Sequence, residues 1–215
     1  MTDKSKEREA NSGTSRRQQS TDRIYIQNKI AARKQLLIVK KHHATRSHYD
    51  FRLGHNRVLL SWVVPAGPSY WPGDQREAIQ VADHSRENAF FEGVFPEGYG
   101  AGPTLIWDWG TWELLPGCTD VDSCLRSGVL RFRLDGEKLK GIWALIRANH
   151  YSGNRRNPNW VLVKERDEFA RSETAKSILE EAPNSICTGK SLGEIVEESK
   201  TRKSNNKFQR MLFGE

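Results

Sequence analysis

The sequence has no apolar run approaching the roughly 18 residues of a membrane-crossing helix, so no membrane span is expected. Cysteine is scarce. Cys118, Cys124 and Cys187 are an odd number at spacings that fit neither a zinc ribbon nor a CxxC redox pair, which predicts structural thiols in a reducing compartment. The opening MTDKSKEREANSGTSRRQQS lacks an apolar h-region, and Asp3, Glu7 and Glu9 disfavour a transit peptide, so an intracellular protein, cytoplasmic or nuclear, is expected. Phosphate-cradling glycine loops are missing as well. PEGYGAG, residues 96–102, lacks a following Gly-Lys-Ser/Thr and reads as a structural turn, while Gly189-Lys190-Ser191 has Asn184 where a P-loop needs its first glycine. No internal repeat is present.

What the chain does have is size and charge. Its 215 residues correspond to one main domain with appendages. Lys and Arg number 34 against 27 Asp and Glu, a net +7 that suits a polyanionic partner. Residues 1–23 contain almost no apolar side chains, so they cannot offset the entropy of ordering and are predicted to be a disordered arm. From Leu36 to about Arg166, short β-rich runs alternate with Gly, Pro, Asn and Asp punctuation. The strands predicted are Gln35 to Lys41, Ser47 to Leu53, Val58 to Val64, Ala78 to Asp83, Thr104 to Leu114, Val129 to Leu134, Leu139 to Arg147 and Asn159 to Lys164. Asp135-Gly136, through a positive φ, and Gly54-His55-Asn56 are expected to close tight hairpins. An all-β antiparallel domain over residues 24–170 follows, closed as a compact β-barrel or stacked as a sandwich, with a short helical and basic extension over 171–215. In that extension Ser191 and Glu194 form a capping box.

The chemistry concentrates in KKHHATRSHYDFRL, residues 40–53. On a strand of period two, His48, Asp50 and Arg52 share one face while Tyr49, Phe51 and Leu53 share the other. The turn at Ala44 to Ser47 folds His42 back toward His48 and Asp50. Two imidazoles and a carboxylate suit a divalent Mn, Zn or Fe ion, and Arg52 would fork onto the oxygens of a phosphate. A polar strand face with an Asp50 to Arg52 ion pair and incidental histidines is the alternative. His84, at the end of its strand, is placed to contact a phosphate at the barrel mouth or to act as a general acid. Arg76 begins the same strand and is a weaker candidate. Of the seven tryptophans, Trp62, Trp107, Trp109 and Trp143 are expected in the core, and Trp71 is the one expected at the surface.

KHHATRSHYDFRL, SWVVPAGPS, VADH, FEGVFPEGYGAG, WDWGTWE and NWVLVKERDEFA resemble, in that order, blocks of the 3′-phosphoesterase domain of bacterial and archaeal DNA ligase D. The resemblance runs from about Leu36 to Ala170. It implies a barrel enzyme that uses Mn²⁺ to remove a 3′-terminal ribonucleoside and then a 3′-phosphate during DNA end repair. Nucleic acid 3′ ends would be the partner, and a separate ligase and polymerase would act on the product of a stand-alone, monomeric member. By this resemblance His42, His48 and Asp50 match metal ligands, Arg52 and His84 match phosphate contacts with catalytic roles, and Arg76 matches a further basic site residue. The chain departs from the family at Lys40 (usually Gln), Ala66 (usually Lys), Ala82 (usually Glu) and Asn88 (usually Tyr), and Lys40 is a candidate phosphate contact replacing the charge missing at Ala66. Two other readings remain: a 3′-end-binding module without turnover, and a non-haem Fe(II) oxygenase, since two His and one carboxylate also describe that triad.

Overall fold

The computed structural model describes residues 35–96, 98, 100–117, 119–148 and 159–201. The predicted arm at residues 1–23, the start of the predicted domain at 24 and the tail beyond 201 lie outside them. The described residues form nine strands: β1 Leu36–His43, β2 Ser47–His55, β3 Val58–Val64, β4 Arg76–Ser85, β5 Gly93–Phe95, β6 Gly102–Leu114, β7 Val129–Gly136, β8 Lys140–Arg147 and β9 Asn159–Lys164. Two short helices join them, α1 Val121–Ser127 and α2 Ile178–Glu181, and residues 192–201 are helical. None of the helices among the described residues is long and apolar enough to cross a membrane.

All neighbouring strands are antiparallel, in the order β1-β2-β3-β4-β9-β8-β7-β6, and β6 pairs back onto β1. The eight strands therefore close into a barrel, which leaves β5 as a short addition at the start of β6. Closure works because β6 is 13 residues long: one edge holds β1 while the other holds β5 at its start and β7 at its end. The eight strands predicted from sequence are all present, with boundaries moved by one or two residues. Absent from that prediction are β5 and α1, both short. Gly102, at φ 131 and with His43 O 2.1 Å from where its Cβ would stand, begins β6 at a point no other residue could occupy without moving β1.

The interior is apolar. Alternate residues of the strands, among them Val39, Phe51, Trp62, Trp107, Phe132, Trp143 and Trp160, form one buried cluster. Each such aromatic ring removes on the order of 200 Å² from water, about 5 kcal/mol before ordering costs. Tyr49, Phe51 and Leu53 are on this inner side, as period two requires. Trp71 is half-buried, its ring folded back over Gly73. The Asp135-Gly136 expectation needs correction. The turn lies at residues 137–139, closed by Gly136 N–H donating to Leu139 O at 2.8 Å, and Gly136 is required for space because a Cβ there would sit 2.5 Å from Asp108 Oδ2. The thiol expectation is also corrected: Cys124 is disulfide-bonded. Cys187 is half-buried, and Cys118 lies outside the described residues.

Residues 171–201 pack against the barrel. Ile178 and Ile195 enter the apolar cluster, Ile186 N–H donates to Ile106 O at 3.1 Å, and Trp107 Nε1 donates to Ala182 O at 2.8 Å. The Ser191 capping box forms as expected, Glu194 Oε2 accepting from Ser191 N and Oγ, both at 2.8 Å.

Inside the β8–β9 edge, Lys164 Nζ meets Asp167 Oδ1 at 2.5 Å, with side chains 0% and 4% exposed. Burial would raise the Asp167 carboxyl, but the Lys164 hydrogen bond and the N–H groups of Ile142 and Phe169 outweigh it and hold the group below 3.8. A lowered acid stabilises the fold above its unfolded value and loses that contribution as pH falls toward the folded one. Asp167→Asn is therefore expected to cost about 3 kcal/mol at neutral pH and progressively less below about pH 4. Thermal melts of both proteins from pH 2.5 to 7 check this, and a difference independent of pH would refute it.

Candidate metal centre

The β1–β2 hairpin builds the site. Its register sets His42 opposite His48, Lys40 opposite Asp50 and Ile38 opposite Arg52. Because Tyr49, Phe51 and Leu53 are committed to the interior, His48, Asp50 and Arg52 face the other way. The site therefore occupies the outer face of the β1–β2–β3 part of the wall, which differs from the barrel-mouth position expected for His84. That face is not open to solvent along its length. Leu36, Ile38, Leu59 and Ile106 are 0% exposed yet stand outside the interior cluster.

The structure brings His42, His48 and Asp50 together, offering one ligand atom each within 4.8 Å of one another. The two imidazoles meet edge to face with centroids 4.9 Å apart. Asp50 lies 3.5 Å from His48 Nε2 and 3.9 Å from His42 Nδ1, and it accepts a hydrogen bond from Arg52 Nη2 at 3.2 Å. His48 Nδ1 lies 3.0 Å from Arg46 O. A carbonyl can only accept, so Nδ1 carries a proton, and Nε2 is the atom turned toward Asp50: protonated, it donates to the carboxylate, and deprotonated, it offers its lone pair to a cation.

The electrostatics are mutually consistent. Burial would raise the Asp50 carboxyl, but the His48 hydrogen bond and the charges of Arg52 and both imidazoles hold it below its ordinary value. Its hydrogen bond to Asp50 raises His48. Burial, opposed by Asp50, lowers His42 and favours the neutral ring that a metal ligand must be. His42 Nε2 is buried with no hydrogen-bond partner, an arrangement that costs free energy unless something is bound there. Thr104, paired with His42 across β1–β6, also has a buried and unpartnered hydroxyl. Two imidazoles, one carboxylate and an orphaned ring nitrogen fit a borderline divalent cation.

His84 joins from β4. Leu59 pairs with His84 across β3–β4, and His84 Nδ1 lies 3.0 Å from Ser61 Oγ. Ser61 spends its hydroxyl proton on Leu59 O at 2.8 Å, so His84 Nδ1 is the donor and Nε2 faces outward. Burial and then the Arg52 charge lower His84. Ser61, across β2–β3 from Arg52, was not selected from sequence, although a lone serine within VLLSWVV marks a polar task on an otherwise apolar strand.

Lys40 and Arg76 are placed differently. Lys40 is 1% exposed, and its Nζ donates to the carbonyls of Asn88 at 2.8 Å and Phe91 at 3.0 Å, with burial and Arg52 lowering it to about 7. In the structure it ties the 85–92 segment down onto β1, and Ala66 is exposed. Arg76 shares the inner-face alternation of Ala78 and pairs with Asp74 at 2.5 Å, so the structure does not bring it into the His42 group. Glu92, also missed from sequence, fastens the same segment from the other side. Its carboxylate accepts from Ile106 N at 2.7 Å, from Thr188 Oγ1 at 3.0 Å and from Ser185 Oγ.

A small antiparallel barrel with a two-histidine, one-carboxylate group beside an arginine on its outer wall is the class that fold and site define. The chain belongs to the DNA ligase D 3′-phosphoesterase domain family, whose model matches residues 40–147. The multifunctional non-homologous end joining protein LigD of Pseudomonas aeruginosa is 45% identical over 155 residues, covering 72% of this chain and 18% of that protein. Proteins of the same description from Mycobacterium bovis and Mycolicibacterium smegmatis are 41% identical over 113 residues and 34% over 137, covering 52% and 61% of this chain. The chain spans 14% and 17% of those two proteins. All three matches are thus to a small part of a longer protein.

Proposed function

We propose that this chain is a metal-dependent phosphoesterase acting on nucleic acid 3′ ends, removing a 3′-phosphate, and a 3′-terminal ribonucleotide where the altered surroundings permit, during end joining. The observation that carries this reading is the His42, His48 and Asp50 group with Arg52 bonded directly to its carboxylate. Mn²⁺ is the cation proposed, and His42, His48 and Asp50 would hold it. Such an ion, when bound, polarises a phosphate oxygen and lowers the pKa of a neighbouring water.

The chain's own groups supply the rest. Arg52 places a fixed positive charge beside the site and offsets the charge growing on the equatorial phosphate oxygens. Asp50 orients that guanidinium, as their 3.2 Å contact requires. His84, its Nδ1–H fixed on Ser61 Oγ, turns Nε2 toward the phosphate, and as the imidazolium it donates Nε2–H to a phosphate oxygen and passes that proton to the leaving oxygen. The ribonucleotide step is the more demanding one, because Ala66, Ala82 and Asn88 stand where the family usually carries Lys, Glu and Tyr. The two-histidine, one-carboxylate set is shared with Fe(II) oxygenases, but Arg52 and His84 beside it favour a phosphate over an organic acid and oxygen.

The test is incubation with Mn²⁺ and two labelled primer-templates, one ending in a 3′-phosphate and one in a single 3′-ribonucleotide, beside His48→Ala. Conversion of the first substrate by the wild type and not by the variant supports the reading, and conversion of both extends it to complete resection. Metal binding and retention of DNA ends without conversion of either would leave an end-binding module instead.

A further inference from the structure

The outer face of β2 continues past Arg52 to Gly54, and what covers Gly54 is a second arginine. A Cβ on Gly54 would stand 2.9 Å from Arg86 Nη2, so the guanidinium rests on the bare floor that this glycine leaves. Gly54 is buried and pairs with Leu59, which itself pairs with His84. Two residues of strand separate Gly54 from Arg52, about 7 Å, in the direction leading away from His48 and Asp50. His42, His48, Asp50, Arg52 and Arg86 therefore form one line along the hairpin, with His84 alongside. The 85–92 segment that delivers Arg86 is anchored by Lys40 to the Asn88 and Phe91 carbonyls and by its own turn, Ala89 N to Arg86 O at 3.1 Å.

We propose that Arg86 binds the internucleotide phosphate one step upstream of the 3′-terminal phosphate, making the outer face of β2 a two-phosphate track. This rests on the phosphoesterase reading above and adds to it the strand's direction and a minimum substrate length. Two arginines one nucleotide step apart match successive phosphates of an unpaired strand, and a guanidinium fork fits phosphate oxygens in a bidentate way. A contact of this kind positions the strand and carries no sequence information. Gly54 itself is required by the backbone, because a Cβ there would stand 2.9 Å from Leu36 N as well as from Arg86 Nη2.

The test uses three probes with Mn²⁺: a nucleoside 3′-phosphate, a 3′-phosphorylated dinucleotide, and the same dinucleotide with an uncharged methylphosphonate linkage. For the wild type, KM is expected to rise about ten-fold from the phosphodiester to the methylphosphonate, the effect of one charge-assisted bond. Arg86→Gln is expected to raise KM about ten-fold on the phosphodiester, to show no further rise with the methylphosphonate, and to change the nucleoside 3′-phosphate less than two-fold. Arg86→Lys should recover part of the loss, and the salt dependence of oligonucleotide binding should fall by about 0.7 in log-log slope in Arg86→Gln. If wild type and Arg86→Gln respond equally to the neutral linkage, the track is wrong while phosphoesterase activity stands. If the wild type releases phosphate from none of the probes, the phosphoesterase reading falls and the track falls with it.

Discussion

Asp50→Asn is expected to lower phosphate release by at least about a thousand-fold, roughly 4 kcal/mol of transition-state stabilisation, and to weaken Mn²⁺ binding by at least about a hundred-fold, the upper end of what merely reorienting a ligand costs. The substitution is nearly isosteric, so the hairpin should keep its shape and the effect is one of charge. Asp50 is the anion of the group: it faces His48 at 3.5 Å, His42 at 3.9 Å and Arg52 at 3.2 Å. With an amide in its place, Arg52 would repel a divalent cation rather than share a carboxylate with it. A second consequence appears without metal. His48 is raised by its hydrogen bond to Asp50, so its contribution to stability is complete below the unfolded value of 6.5 and is lost as pH rises through the folded one. The metal-free variant should lack that pH-dependent component. Titration calorimetry with Mn²⁺ and thermal melts from pH 5 to 8 provide the two measurements. Retention of a tenth of the wild-type rate together with unchanged metal affinity would remove Asp50 from the site.

Asp108→Ala is expected to destabilise the fold by about 3 to 5 kcal/mol, read as a fall in the urea midpoint at constant slope. Asp108 is 0% exposed on β6, and its carboxylate accepts from three backbone N–H groups: Trp109 at 2.9 Å, Lys138 at 2.8 Å and Leu139 at 2.8 Å. Two of these belong to the β7–β8 turn, which is otherwise held to β6 by Glu137 N–H donating to Trp109 O at 3.1 Å. Alanine leaves three buried donors without an acceptor, each costing about 1 to 3 kcal/mol, with some recovery as the turn relaxes. Asp108→Asn should lose less, because an amide oxygen still accepts while its NH₂ opposes one N–H. The β1–β2 hairpin lies on the other edge of β6, so metal affinity in the folded fraction should be unaffected. A loss below about 1 kcal/mol would mean that water satisfies the turn.

The sequence by itself determined the strands and the composition of the site. Eight short runs with turn residues between them read as antiparallel strands of a barrel or a sandwich, and the β1–β6 pairing is what makes it a barrel. The alternation in SHYDFRL placed His48, Asp50 and Arg52 together because period two is a property of any extended backbone, whatever surrounds it. Tertiary structure decided which side of the wall that face looks from. Strand alternation defines two faces but not which becomes interior, and here β1 to β3 are covered on both, so the site lies on the outer wall beneath the 85–92 segment. Tertiary structure also decided the roles of the cations. Lys40 and Arg76 looked equivalent as charges in the sequence, yet Lys40 is consumed by two carbonyls 48 and 51 residues away and Arg76 faces Asp74. Arg86 and Glu92 were invisible because their partners, Gly54 and Ser185, are distant in the chain and become neighbours only when the barrel closes and the 171–201 segment packs against it.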